Sequence, residues 1–143
     1  MTVEQLSVFV ENKPGKLMEA LDTLADAQVD MRALSLADTS DFGILRAIVD
    51  KPDKAVEALS EAGFLVKSSE VLAVVLGDKP GGLAHVVRIL AEAGVNIEYT
   101  YAFVAHDSDS AYVILRVDDN TAADKVLKQN GITMLTEREL YGM

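Results

Sequence analysis

The chain repeats itself. Leu6 to Leu17, reading Leu-Ser-Val-Phe-Val-Glu-Asn-Lys-Pro-Gly-Lys-Leu, returns as Leu72 to Leu83, reading Leu-Ala-Val-Val-Leu-Gly-Asp-Lys-Pro-Gly-Gly-Leu. The alignment runs on without a gap to Met31 and Ile97, with about ten of 26 paired positions identical. A repeat of this length makes each copy one supersecondary unit, and every motif then occurs twice. Further along, Ile44-Leu45-Arg46 answers Ile114-Leu115-Arg116 four residues out of step, so the second copy is expected to carry a longer hairpin. The division falls at residues 1–69 and 70–143. Halves of this size are marginal as separate cores, which implies that the two copies pack together.

Each copy predicts the same order of elements. An apolar strand (Leu6 to Val10; Val71 to Leu76) enters a Lys-Pro-Gly turn, and proline suits a helix start because the first amides there need no partner. A helix follows, with Leu17, Leu21, Leu24 and Gln28, or Leu83, Val86, Val87, Leu90 and Ala91, at helical spacing on the packed face. A hairpin comes next: Met31 to Ala37 with Ile44 to Val49, and Ile97 to Val104 with Ala111 to Val117. Lys51-Pro52-Asp53 and Asp119-Asn120-Thr121 start a shorter helix that ends at Gly63 or Gly131. Phe64 to Lys67 and Ile132 to Thr136 close the copies as strands.

Strand, helix, strand, strand, helix, strand is the ferredoxin-like βαββαβ order of the α+β class, with two helices on one face of an antiparallel sheet. Two such units side by side predict a single eight-stranded antiparallel sheet with helices on one face, its edges protected. Apolar residues on the open face point to a homodimer.

Composition removes several function classes. The net charge of −10, with scattered Lys and Arg, repels a phosphate backbone, so nucleic acid is not an expected partner. Without cysteine there is no disulfide framework, thiolate metal site or thiol nucleophile, which suits a reducing cytoplasm. Met1 to Gln5 lacks a basic leader, and the longest apolar run, Val71 to Leu76, is too short to cross a bilayer, so no membrane association is expected.

The sharpest local signal is Asn12-Lys13-Pro14-Gly15 and its echo Asp78-Lys79-Pro80-Gly81. A short polar side chain ahead of a helix can simply cap it. The same geometry also serves a ligand: amides near Gly15, Lys16 and Leu17, or Gly81, Gly82 and Leu83, can hold a carboxylate, while Asn12 or Asp78 accepts from an ammonium group. Together these groups describe a receptor for an α-amino acid.

The turn (Asp or Asn)-x-Pro-Gly-x-Leu, followed by a helix ending in Ala-(Gly or Gln)-Val-(Asp or Asn)-(Ile or Met), resembles the ACT domain, a small regulatory module of amino-acid-metabolising enzymes. Both copies carry it, and the chain resembles stand-alone tandem ACT proteins. The resemblance implies a ligand between the first turn of one unit and the start of the second strand of the other, which pairs Asn12 with Asn96 and Asp78 with Asp30, next to Met31 and Ile97. Two amides suit a zwitterion, whereas two carboxylates repel its carboxylate, so the Asn12–Asn96 site is favoured. The position that is His in one branch of the family is Val10 here and Leu76 in the copy, which argues against serine-like specificity. Leu36, Phe42 and Tyr101 are candidates for contact with the ligand's side chain.

Other motifs reduce to structure. Asp41-Phe42-Gly43 spells a kinase motif in a chain without the accompanying catalytic loop. Lys13 to Lys16 lacks the residues of a phosphate loop. His85 shares a helix face with Arg88 and Glu92, His106 has no second imidazole nearby, and Asp107 to Ser110 lacks the glycine and distant glutamate of a calcium loop. No metal, cofactor or catalytic residue is predicted. The expected function is a non-catalytic, amino-acid-binding regulatory protein acting on a partner enzyme of amino-acid metabolism. The rivals are a ligand-free docking subunit and a small enzyme on the same scaffold, which the fold alone does not distinguish.

Overall fold

The structure, a computed structural model, describes residues 1–38, 41–77, 79–103 and 110–142. The chain forms two compact units. One contains residues 4–69; the other contains residues 70–143 together with Met1–Val3.

The first unit contains β1 (Val3–Glu11, its first residue grouped with the other unit), α1 (Lys16–Asp26), β2 (Met31–Asp38), β3 (Phe42–Val49), α2 (Pro52–Glu61) and the start of β4 (Leu65–Gly77). Its strands lie in the order β2-β3-β1-β4. Alternation decides the faces: Leu6, Val8 and Val10 of β1 and Leu45, Ala47 and Val49 of β3 pack against Ala20 and Leu24 of α1 and Ala55 and Leu59 of α2. Each helix thus buries one stripe and leaves its polar side exposed.

The second unit contains the rest of β4, α3 (Gly82–Glu92), β5 (Ile97–Phe103), β6 (Ser110–Val117), α4 (Asn120–Gln129) and α5 (Glu137–Tyr141). Its strand order is β4-β6-β5. Leu72, Val74 and Leu76 with Val113, Leu115 and Val117 face Val86, Ile89 and Leu90 of α3 and Ala123 and Leu127 of α4. Leu83 and Val87 are 39% and 37% exposed. The packed face of α3 is therefore Val86, Ile89 and Leu90, rotated from the expected stripe, and Leu83 lies to its side.

Among the described residues six strands, not eight, are formed. Phe64 to Lys67 and Val71 to Leu76 were expected as separate strands, but Lys67-Ser68-Ser69-Glu70 contains neither glycine nor proline, and β4 runs through it for 13 residues. The expected strand Ile132 to Thr136 shrinks to a bridge of Met134 with Val74. Two bonds hold it: Val75 N–H donates to Thr133 (2.9 Å) and Leu135 N–H to Ala73 (2.8 Å). It stops because the Thr136 hydroxyl accepts from the Glu139 amide at 3.2 Å and starts α5, which the sequence reading did not foresee.

Strand register also corrects the repeat. Leu6 and Val8 face Ala47 and Leu45, whereas Leu72 and Val74 face Leu115 and Val113. Leu45 therefore corresponds to Val113, a shift only two residues larger than that relating Leu6 to Leu72. The matching letters Ile-Leu-Arg do not occupy equivalent places. A slip of two leaves every side chain on its face, so the alternation pattern cannot reveal it.

In α4, Asp124 accepts from Lys128 Nζ at 2.9 Å and from the Met1 ammonium at 3.1 Å. Burial pulls its carboxyl up, but the two cations outweigh that and hold it below the ordinary carboxylate value.

Candidate functional site

Two corners join β1 to α1 and β4 to α3, and they are built alike. Gly15 (φ 86°, ψ −13°) and Gly81 (φ 89°, ψ −3°) stand ahead of the helices in the left-handed region, where a side chain is strained. Among the described residues neither helix receives a side-chain cap. Lys16 N–H donates to the Lys13 carbonyl at 3.2 Å and Glu19 N–H to Gly15 at 3.0 Å; Gly82 to Lys79 (3.3 Å) and His85 to Gly81 (3.0 Å) repeat the pattern.

Asn12 is therefore not the cap that its position suggested. Its side-chain amide donates to Asp38 Oδ1 at 3.3 Å, and its main-chain N–H donates to the Asp41 carbonyl at 3.1 Å. The corner is tied to the β2–β3 hairpin instead. The amides of Leu17 and Met18, and those of Leu83 and Ala84, lie in the first turns of uncapped helices, at the positive ends of their dipoles. Asp78, His106 and most of the second hairpin lie outside the described residues.

A second duplicated construction sits at the start of β2 and β5. Asp30 N–H donates to Asp50 Oδ1 at 2.9 Å, while Asp50 N–H donates back to the Asp30 carbonyl at 3.0 Å. Asn96 and Asp118 make the same reciprocal pair at 3.0 and 3.1 Å. Sequence reasoning did not single out Asp50 and Asp118, although each directly follows an expected strand, ending at Val49 in one copy and Val117 in the other. Asp30 also takes the Arg32 guanidinium at 2.8 Å, which offsets its charge. Asn12, in turn, has the Asp38 carboxylate beside it. The contrast of amide and carboxylate used to rank the two candidate sites is thus smaller than the residue letters indicate.

Within the first unit, Asp30 and Met31 are far from Asn12. They stand at one end of β2 and Asp38, the partner of Asn12, at the other, roughly 23 Å along an extended strand. Leu36, half-exposed on the edge strand, reaches over Gly43: a Cβ there would lie 3.1 Å from Leu36 Cδ1. In the second unit, Ile97 is partly buried against the helix-side core. Tyr101 lies on the opposite sheet face, stacked with Tyr99 at 6.5 Å between ring centres. His85, Arg88 and Glu92 are exposed.

The structure does bring together Lys16 and Phe42. They line a cavity of about 510 Å³ in the first unit with Phe9, Glu11, Glu19 and the segment Ala62 to Leu65. That volume suits a small organic molecule. Three of the chain's four phenylalanines, Phe9, Phe42 and Phe64, line it. The charges stand around them: Lys16 Nζ lies 3.4 Å from Glu19 Oε2, and Glu11 Oε2 lies 3.3 Å from Lys13 Nζ. Lys67 Nζ stands 5.6 Å from the centre of the Phe9 ring, which fixes that ring by a cation–π contact. Among the described residues no cluster of His, Cys, Asp or Glu suits a metal ion, and no helix is long and apolar enough to cross a membrane.

Two uncapped, glycine-led helix starts on duplicated α+β units agree with the family comparison, in which the ACT domain pair matches residues 1–143. The chain belongs to that family. Among solved structures, this ACT pair is similar to protein BT0572 from Bacteroides thetaiotaomicron: 38% identity, 100% of this chain and 98% of that one covered, TM-score 0.93. It shares a fold with the regulatory subunit of aspartate kinase from Thermus thermophilus (20% identity, 88% and 91% covered, TM-score 0.62). The same subunit from Thermus flavus gives 18% identity, 90% and 93% covered, and a TM-score of 0.60. A search of the curated proteins finds no match.

Proposed function

We propose that this ACT pair is a non-catalytic regulatory protein that binds an amino acid and thereby alters its affinity for a partner enzyme of amino-acid metabolism, acting as a cytoplasmic homodimer. The observation that carries the reading is the pair of Pro-Gly corners, whose helix starts, uncapped among the described residues, leave main-chain donors available to a carboxylate. Asn12 and Asn96 offer amide oxygens as acceptors for an ammonium group. The Thermus neighbours are named regulatory subunits of aspartate kinase, which fits a role of this kind. Half-exposed Leu34 and Leu36 on the edge strand β2 fit self-association.

Regulation requires a coupling of only about 1 to 3 kcal/mol between ligand and partner. A thermal-shift series over the twenty amino acids tests the proposal. A ligand at about 100 times its dissociation constant stabilises the fold by about 2.7 kcal/mol, a rise of several degrees. Asn12→Ala and Asn96→Ala should each shrink the rise, and Asp30→Ala should spare it. No shift with any amino acid would leave the ligand-free docking role in its place.

A further inference from the structure

The cavity of the first unit is more selective than an amino-acid backbone requires, and the second unit shows this by contrast. Strand and helix registers place Val75, Gly77, Gly82, Ser110 and Ile132 where the first unit has Phe9, Glu11, Lys16, Phe42 and Phe64. None of the three phenylalanines and neither of these two charges has a counterpart. The corner backbone is duplicated and the cavity chemistry is not.

We propose that this cavity binds an α-amino acid with an aromatic or large aliphatic side chain. The inference rests on the amino-acid-binding reading and adds to it the class of ligand and the unit that selects it: the side chain enters this cavity, and Lys16, Glu11 and Glu19 supplement the corner amides and Asn12 around the charged groups. The side chain lies on Phe9, Phe42 and Phe64, where burying apolar surface and offset ring stacking favour it. The carboxylate takes Lys16 Nζ, displacing the exposed Glu19 with which Lys16 now pairs. The ammonium group takes the carboxylates of Glu11 and Glu19, which outnumber the single cation among the lining residues. A volume of about 510 Å³ lined by three rings gives a phenylalanine-sized side chain apolar surface to bury that a serine-sized one lacks.

Calorimetric titration of the full chain with phenylalanine, leucine, serine and glycine tests this, with phenethylamine and 3-phenylpropionate as probes that each lack one charge. Phenylalanine or leucine should bind at least about tenfold more tightly than serine or glycine, and each single-charge probe should lose about tenfold or more. Phe42→Ser, at a half-exposed position, should weaken phenylalanine about tenfold. Lys16→Ala should remove the preference for phenylalanine over phenethylamine. Unfolding midpoints of both variants, measured without ligand, confirm that they fold.

If serine or glycine binds best, or phenylalanine binds Phe42→Ser and Lys16→Ala unchanged, the cavity assignment is overturned while amino-acid binding stands. If no amino acid binds at all, both readings fall together.

Discussion

The two corners teach different lessons although their backbones coincide. In the second unit, Gly82 occupies the place of Lys16, and a Cβ there would sit 3.0 Å from the Gly77 carbonyl oxygen. The chain approaches itself closely at that point, so a side chain requires the carbonyl to give by a few tenths of an ångström. In the first unit Glu11 stands where Gly77 stands, Lys16 carries a full side chain, and the cavity lies beside it. Duplication preserved what the main chain does and let the side chains diverge, so one corner is packed and the other is equipped.

The largest expected effect comes from forcing the second corner to resemble the first. Gly82→Lys should destabilise the chain by about 1 to 3 kcal/mol, because a backbone carbonyl rather than a flexible side chain must move. The reverse change, Lys16→Gly, should cost no more than about 1 kcal/mol of helix propensity. Urea unfolding of both variants measures the difference, and equal losses would break the contrast.

The reciprocal main-chain pairs sharpen it from the other side, since here the units are alike. Asp50→Ala and Asp118→Ala should each lose about 1 kcal/mol, the worth of a hydrogen bond to a charged acceptor near the surface. A gap between them larger than about twofold, read from hydrogen exchange at the Asp30 and Asn96 amides, would show that the two constructions are not equivalent.

A smaller effect separates the helix ends. Gln28 holds φ 59° where the second unit has Gly94 at 75°. Gly94→Gln should therefore cost about 1 kcal/mol, and Gln28→Gly should gain roughly half of that, because relief of the left-handed strain is partly offset by glycine's entropy. Melting temperatures of the pair should move in opposite directions.

The smallest effect is titration of Asp124. Its carboxyl is held below its ordinary value, so the stabilisation is full above the unfolded pKa and fades as pH falls through the folded one. Asp124→Asn should lower stability by about 0.5 kcal/mol at neutral pH, and the gap should close in acid. A difference that persists at low pH would point to packing rather than charge.

Much of this fold was legible in the sequence because its signals are local. The Pro-Gly corners, the helix-ending Gly63 and Gly131, and the alternation of Leu6, Val8 and Val10 depend on turn and pleat geometry. What was hidden depends on distant partners. Whether Ile132 to Thr136 makes a strand was decided by Thr136 capping α5. The repeat boundary at residue 69 suggested a break that Ser68 and Ser69 do not enforce. The hairpin register misled because a shift of two is silent in the pattern.

The candidate site divided in the same way. The corner residues were found by their likeness between copies, whereas Phe9, Glu11, Glu19 and Phe64 went unnoticed because they differ. The usable signal was the clustering of three of four phenylalanines in one copy.

The short contact at Met134 carries a further consequence. A full strand there would present a row of free amides and carbonyls on which a foreign chain can assemble, the usual starting point of fibrillar growth. By turning into a helix after one bridged residue, the second unit offers no such template along this segment.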